Sequence, residues 1–303
     1  IGVRLVGSEM CIRDSRNTDV FNGEILLANF SDKAMTGNPV FWEMTDASTG
    51  KILASGELSL GEAESGEITT VGKFSTPLDM VSDPSAVVVK VKINDDIENS
   101  WKIHVYPKTE ITNGNVISTR SFDEAQKALA DGKTVLLSPA PDRIEGIESK
   151  FLPVFWSPVH FPKQAGTMGI LCDPKHPALQ LFPNDGHTDW QWWNPLKNAK
   201  VVNLDSISSA NPIIKAIDNF VHNRRLAYVF EAKCGNGRLL FSAFDILNPD
   251  NDNPAMNQLK VSLLNYVNGD SFDPKNEISL KDLESLYKST GEDNTTSPTS
   301  IYE

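Results

Sequence analysis

The chain has 303 residues and carries 28 Lys and Arg against 40 Asp and Glu, a formal net charge of −12. An apolar share of 40% with 8% aromatics excludes a mainly disordered chain, and the length leaves room for two domains with a core each. No apolar run reaches the roughly 18 residues of a membrane span, and the acidic balance argues against a nucleic-acid partner, which calls for a basic stripe to neutralise phosphates.

Residues 1–15, IGVRLVGSEMCIRDS, have neither a helical nor a strand period. They also lack the apolar core and cleavage site of a signal peptide. They look like translated sequencing-adapter read-through at the end of a metagenomic fragment. A non-native leader is therefore expected here, Cys11 is discounted, and the native chain is expected to continue upstream.

Residues 16–108 read as all-β. Candidate strands are Val20–Phe30, Val40–Asp46, Lys51–Gly56, Glu67–Val71, Ser85–Ile93 and Trp101–Tyr106, separated by turn clusters such as Ala47-Ser48-Thr49-Gly50. In the last of them Trp101, Ile103 and Val105 alternate with Lys102, His104 and Tyr106. Short strands with regular turns predict an Ig-like β-sandwich, and Pro107 ends it.

Residues 113–270 change character. Val116-Ile117-Ser118 reads as a strand. Ser121 and Glu124 form a capping-box pattern for a helix ending at Gly132, and Thr134–Ser138 reads as a buried strand. That order predicts a βαβ unit and a parallel sheet. Further on, Val201–Asp205 is a strand, Arg225–Ala232 and Arg238–Asp245 make a hairpin around Lys233–Gly237, and Pro254–Val267 carries a helical stripe ended by Gly269. Residues 271–303 predict one short amphipathic helix (Ile278, Leu280, Leu283, Leu286, Tyr287) and a disordered polar tail.

Three cysteines make no disulfide framework, although a single Cys172–Cys234 bridge is open to them in an oxidising compartment. Two buried free thiols are the favoured reading. No CxxC and no zinc-spaced Cys/His cluster occurs, so neither metal nor cofactor is expected.

The stretches ILLANFSD, VFWEMTDASTGKILASGEL and ENSWKIHVYP resemble a sandwich module of family 2 glycoside hydrolases. A second set is FLPVFWSPVHF, TMGILCDPKHPALQLFP, HTDWQWW, IDNFVHNRRLAYVFEAKCGNGRLLFSAFDI and QLKVSLLNYV. It resembles a C-terminal region of β-galactosidase-like proteins of that family. The α/β part also resembles the flavodoxin-like class I glutamine amidotransferase fold, which some β-galactosidases carry as a non-catalytic assembly domain. The resemblance implies an accessory region of a periplasmic or secreted glycoside hydrolase. Its partners would be the upstream catalytic barrel of the same polypeptide, carbohydrate, and further copies of itself in a homo-oligomer.

Retaining glycosidases need two carboxylates about 5 Å apart on a barrel that takes about 250 residues. The chain has no such stretch, so no catalytic residue is assigned. An amidotransferase needs an exposed cysteine elbow beside a histidine. Cys172, followed by Asp173-Pro174 and not closely flanked by glycine, fits that poorly, and Cys234 lies in a hairpin turn.

The sharpest local feature is His187-Thr188-Asp189-Trp190-Gln191-Trp192-Trp193. Two readings stand. The indoles Trp190, Trp192 and Trp193 form a sugar platform, with His187, Asp189 and Gln191 hydrogen-bonding hydroxyls, or they close a small core together with Phe151, Phe155, Trp156 and Phe161. Packing is the favoured one. His176 begins a short helical turn. Glu231 is expected to pair with Arg224, Arg225 or Arg238. Gly235-Asn236-Gly237 lacks the helix and Lys-Ser/Thr of a phosphate loop. Asp245 precedes an oxygen-rich loop read as solvated rather than calcium-binding.

Overall fold

A computed structural model describes residues 2–7, 14–94, 96–109, 113–151, 167–219 and 221–288. The chain divides into two compact units at the boundary between residues 110 and 111. It is β-rich, with several separate sheets.

Among its described residues the first unit holds eight strands: β1 (Gly2–Gly7), β2 (Asp14–Arg16), β3 (Val20–Asn29), β4 (Pro39–Asp46), β5 (Ile52–Ser59), β6 (Glu67–Pro77), β7 (Ser85–Ile93) and β8 (Ile97–Tyr106). They form a three-stranded sheet, β1-β3-β6, and a five-stranded sheet, β2-β8-β7-β4-β5. Alternation along β7 buries Val87, Val89, Val91 and Ile93. These side chains share one apolar cluster with Ile25 and Leu27 of β3, so the two sheets face each other across a common core, as a sandwich requires. Trp42 of β4 stacks on Phe74 of β6 with ring centroids 4.1 Å apart. Gly56 makes room for that indole, because a Cβ there would lie 2.7 Å from it.

Two expectations for this unit change. Gly2–Gly7, read as lacking a strand period, pairs antiparallel with β3, Gly2 opposite Ala28 and Gly7 opposite Gly23. A free strand edge accepts a partner through its backbone, whatever the side-chain pattern. Along β8 the alternation does not divide buried from exposed residues at its end, since His104 and Tyr106 are buried like Ile103 and Val105. Cys11 lies outside the described residues.

The second unit holds β9 (Ile117–Thr119), α1 (Phe122–Ala130), β10 (Thr134–Leu137), β11 (Ile147–Glu148), β12 (Thr167–Cys172), α2 (Trp193–Leu196), β13 (Lys200–Asn203), β14 (Asn211–Asp218), β15 (Leu226–Cys234), β16 (Gly237–Ser242), α3 (Pro254–Asn268), β17 (Glu277–Ile278) and α4 (Leu280–Glu284). The predicted βαβ unit is present: β9 and β10 pair in parallel with α1 between them, and β10 continues in parallel to β16. Beyond β16 the sheet departs from the wholly parallel, doubly wound flavodoxin-like arrangement. β15 runs antiparallel to β16, β14 and β13, and β12 antiparallel to β14. The reason lies in the connections, because the two-residue turn Gly235-Asn236 between β15 and β16 permits only an antiparallel return.

Helices cover both faces of this mixed sheet. Phe230 and Ala232 of β15 share a core with Ala125 and Leu129 of α1. Glu231, between them and so on the opposite face, meets Tyr266 of α3. The last elements belong to the same core, for Ile278, Leu283 and Leu286 join the α1 cluster. The helix predicted from Ile278 to Tyr287 is shorter than its stripe. Glu277–Ile278 pairs with β15 as β17, and α4 starts only at Leu280, behind its N-cap Ser279, with Asp282 of its first turn completing the capping box. The polar tail expected to be disordered falls largely on residues 289–303, outside the described residues. Among the described residues no helix is long and apolar enough to cross a membrane.

Candidate functional site

The aromatic run is placed by its neighbours upstream. β12 is flanked by the segment before the tryptophans: Cys172 N–H donates to Gly186 O at 2.9 Å, Leu171 bridges His187, and Ile170 N–H donates to Thr188 Oγ1 at 2.7 Å. Gly169 makes this approach feasible. Its φ is +143°, and a Cβ on it would lie 2.8 Å from Thr188 Oγ1. The chain then turns into a 3₁₀ segment, Trp190–Trp192, and directly into α2.

That turn divides the three indoles, because residues three apart on a 3₁₀ turn share a face. Trp190 and Trp193 remain 47% and 44% exposed, while Trp192 is fully buried. Trp192 packs on Phe182 at 4.9 Å and Phe244 at 6.0 Å. Gln191 is buried as well, its Nε2 donating to Pro183 O at 2.9 Å and to Asp189 Oδ2 at 3.4 Å. Trp192 and Gln191 are thus the structural half of the motif. The ring of Phe151 lies 5.1 Å from both Trp190 and Trp193, tilted to the first and edge-on to the second. His187 is exposed and Asp189 half-buried beside them.

Each half-exposed indole leaves on the order of 100 Å² of ring uncovered, about 2–3 kcal/mol of unrealised burial. Packing accounts for Trp192, whereas Trp190 and Trp193 keep exposed ring surface on either side of Phe151. Phe155, Trp156 and Phe161 lie outside the described residues.

The other candidates resolve differently. Cys172 and Cys234 are free and buried. Burial, with Asp173 and Asp189 adding to it, pushes the Cys172 thiol up to about 12, and burial with Asp282 and Glu277 pushes Cys234 up to about 11. A nucleophilic cysteine needs the opposite, an accessible thiolate. His176 Nδ1 accepts the Ala178 N–H at 3.1 Å, which caps the turn Pro177–Leu179. Burial holds this imidazole below its usual value against the pull of Glu231 and Asp173.

Glu231 does not take an arginine partner. It accepts the Tyr266 hydroxyl at 2.5 Å. Arg224 instead binds Asp218, Arg225 caps the carbonyls of Ile207, Ser208 and Ala210, and Arg238 reaches Phe272 O and Thr134. Asp245 is not simply solvated. It pairs with Arg120 at 2.9 Å, and burial raises its carboxyl above the usual range although Arg120 opposes the rise. Among the described residues no group of three or more His, Cys, Asp or Glu could hold a metal ion. Sequence reasoning singled out neither Arg120 nor Arg143 and took Tyr287 only as part of a helical stripe, yet the three line a cleft of about 480 Å³. Their spacing in the chain carries no motif that would have joined them.

Two family profiles match the chain. The one described as domain of unknown function DUF8487 covers residues 116–288, and DUF8488, likewise a domain of unknown function, covers residues 19–107. No curated protein matches. Among solved structures, a β-glucosidase from Listeria innocua in complex with glucose is similar at 17% identity and a TM-score of 0.25, over 34% of this chain and 16% of that one. A Paenibacillus sp. cycloisomaltooligosaccharide glucanotransferase has 12% identity and a TM-score of 0.29, over 49% and 22%. The sporulation control protein of Bacillus subtilis has 11% identity and a TM-score of 0.25, over 36% and 49%. This chain thus spans less than a quarter of either enzyme.

Proposed function

The chain belongs to the DUF8487 family, and from that premise we propose that it is a non-catalytic accessory region of a β-galactosidase-like glycoside hydrolase. In this reading it touches carbohydrate through Phe151, Trp190 and Trp193. The bond-breaking carboxylates belong to a barrel upstream in the same polypeptide, and this region scaffolds that barrel or mediates subunit contacts. The observation that carries the reading is the half-exposed pair Trp190 and Trp193 around Phe151. Pyranose faces stack on such rings, and His187 and Asp189 are the polar side chains beside them that this reading assigns to hydroxyls. The amidotransferase alternative is disfavoured by the buried, hard-to-ionise Cys172.

Fluorescence titration of the chain with galactosides tests it. Saturable change in indole emission is expected, with Trp190→Ala and Trp193→Ala each weakening binding about fivefold. Aryl galactosides are expected to remain uncleaved. Turnover by the chain, or titrations unaffected by both substitutions, would remove the reading.

A further inference from the structure

A stripe of polar side chains on α3 holds the segment that leads to the tryptophans. Gln258, Ser262 and Tyr266 stand four residues apart and so share one face of the helix. Gln258 Nε2 donates to Leu181 O at 2.6 Å, while Ser262 Oγ donates to Ala178 O at 2.8 Å and accepts the Leu181 N–H at 3.2 Å. Both side chains are buried. The third position meets the segment differently. The rings of Tyr266 and His176 meet edge to face with centroids 5.5 Å apart, and the Tyr266 hydroxyl donates to Glu231. His176 in turn accepts the Ala178 N–H through Nδ1.

Two of these three fastenings are an amide and a hydroxyl, which do not titrate in the range where proteins stay folded. The third is an imidazole. Its Nδ1 accepts only while it carries no proton, so in the capped turn the ring hydrogen sits on Nε2. A second proton has to go on Nδ1 itself, and then the N–H groups of His176 and Ala178 point at each other with no acceptor between them. Among the described residues the titratable groups that face this imidazole are Tyr266 of α3, Glu231 of β15 and Asp173 of its own turn. Lys175, its sequence neighbour, is exposed. The two carboxylates favour the added proton, and burial outweighs them. The turn also leads to a buried indole: Phe182 N–H donates to Leu179 O at 2.9 Å, and the Phe182 ring packs on Trp192.

We propose that His176 is a proton-operated latch on the segment His176–Phe182. Unprotonated, it caps the turn Pro177–Leu179 and completes the contact with α3. Protonated, it releases the Ala178 N–H and turns its new donor to the carboxylates of Asp173 and Glu231, while Ser262 and Gln258 keep their hold on Ala178 and Leu181. The change is a local loosening passed through Phe182 to Trp192, not an unfolding of the unit. The folded imidazole titrates below the unfolded value near 6.5. The cap's contribution is therefore full above the unfolded value and is lost as pH falls through the folded one.

Nitrogen-15 NMR of the intact chain, titrated from about pH 8 down to about pH 5, tests this. At the alkaline end His176 is expected as the Nε2–H tautomer. On acidification the Ala178 amide and the Trp192 indole N–H should shift with the midpoint of His176. Protection of the Ala178 amide against hydrogen exchange, corrected for its intrinsic rate, should fall about tenfold. His176→Asn keeps a side-chain acceptor at the cap and does not titrate, so the response at Ala178 and Trp192 should vanish in that variant. An Nδ1–H tautomer at neutral pH, an Ala178 amide that ignores the His176 titration, or an unchanged response in His176→Asn overturns the latch. A Trp192 indole unmoved while Ala178 follows overturns the relay to Trp192. The wild-type titration decides both points by itself should His176→Asn fail to fold.

Discussion

Within the motif His187–Trp193 neighbouring residues have opposite fates. Trp192 and Gln191 are wedged against Phe182 and Pro183, and Trp190 and Trp193 stay half in solvent. One turn of helix is enough to separate an anchor from a surface. Asp218 shows the same economy at the end of β14. Its carboxylate accepts from Arg224 Nε at 2.8 Å, Arg224 Nη2 at 3.1 Å, and the N–H groups of Arg224 and Asn219. Burial alone would raise this carboxyl, but the bonds from Arg224 and Asn219 outweigh it and hold it below the usual range. A carboxyl depressed in the folded state contributes stability that is fully present above its unfolded value near 3.9 and lost as pH falls through the folded value. Asp218→Asn is therefore expected to lower stability by about 2 kcal/mol at neutral pH. Urea melts of both proteins should converge as pH drops below about 4, and a gap independent of pH would contradict the assignment.

At the level of elements, α1 depends on a relay rather than the reciprocal box its sequence suggests. Ser121 Oγ accepts the Glu124 N–H at 3.4 Å, but Glu124 takes the Thr119 hydroxyl at 2.5 Å, and Thr119 Oγ1 in turn accepts the Ser121 N–H at 2.9 Å. The box pattern identified the helix start correctly and misassigned the second bond, because a strand-end threonine lies closer to Glu124. The other end of α1 rests on the β15–β16 hairpin. Gly237 faces Lys133 O and lies with its virtual Cβ 3.1 Å from Leu129 Cα. Backbone cannot yield as a flexible side chain can, so Gly237→Ala is expected to cost about 1–3 kcal/mol. Thermal unfolding followed by far-UV circular dichroism measures this, and an unchanged midpoint would show that the helix can slide.

For the whole molecule, each unit has its own apolar cluster. The sandwich core draws on β3, β4, β6, β7 and β8, and the second core on α1, α4 and the mixed sheet. Units with separate cores fold independently. Residues 14–109 and 113–288, produced separately, are each expected to unfold in one cooperative transition by calorimetry. A piece that gives no transition would mean that its core is incomplete alone. The proposed sugar contact draws on the second unit, so its titration can be repeated on that piece once it is shown to fold.

Strands β3 to β8 of the first unit, the β9–α1–β10 unit, the β15–β16 hairpin and α3 were legible in the sequence, while β1 and β2 were not. Period-2 and period-3.6 apolar patterns, glycine turns and caps act over a few residues, and local sterics and burial decide them. The antiparallel half of the second sheet, the division of the indoles into buried and exposed, the Glu231–Tyr266 bond and the meeting of Arg120, Arg143 and Tyr287 were not. Each joins residues far apart in the chain or on different faces of one turn. Only the closing of the core fixes which charges and rings end up beside one another.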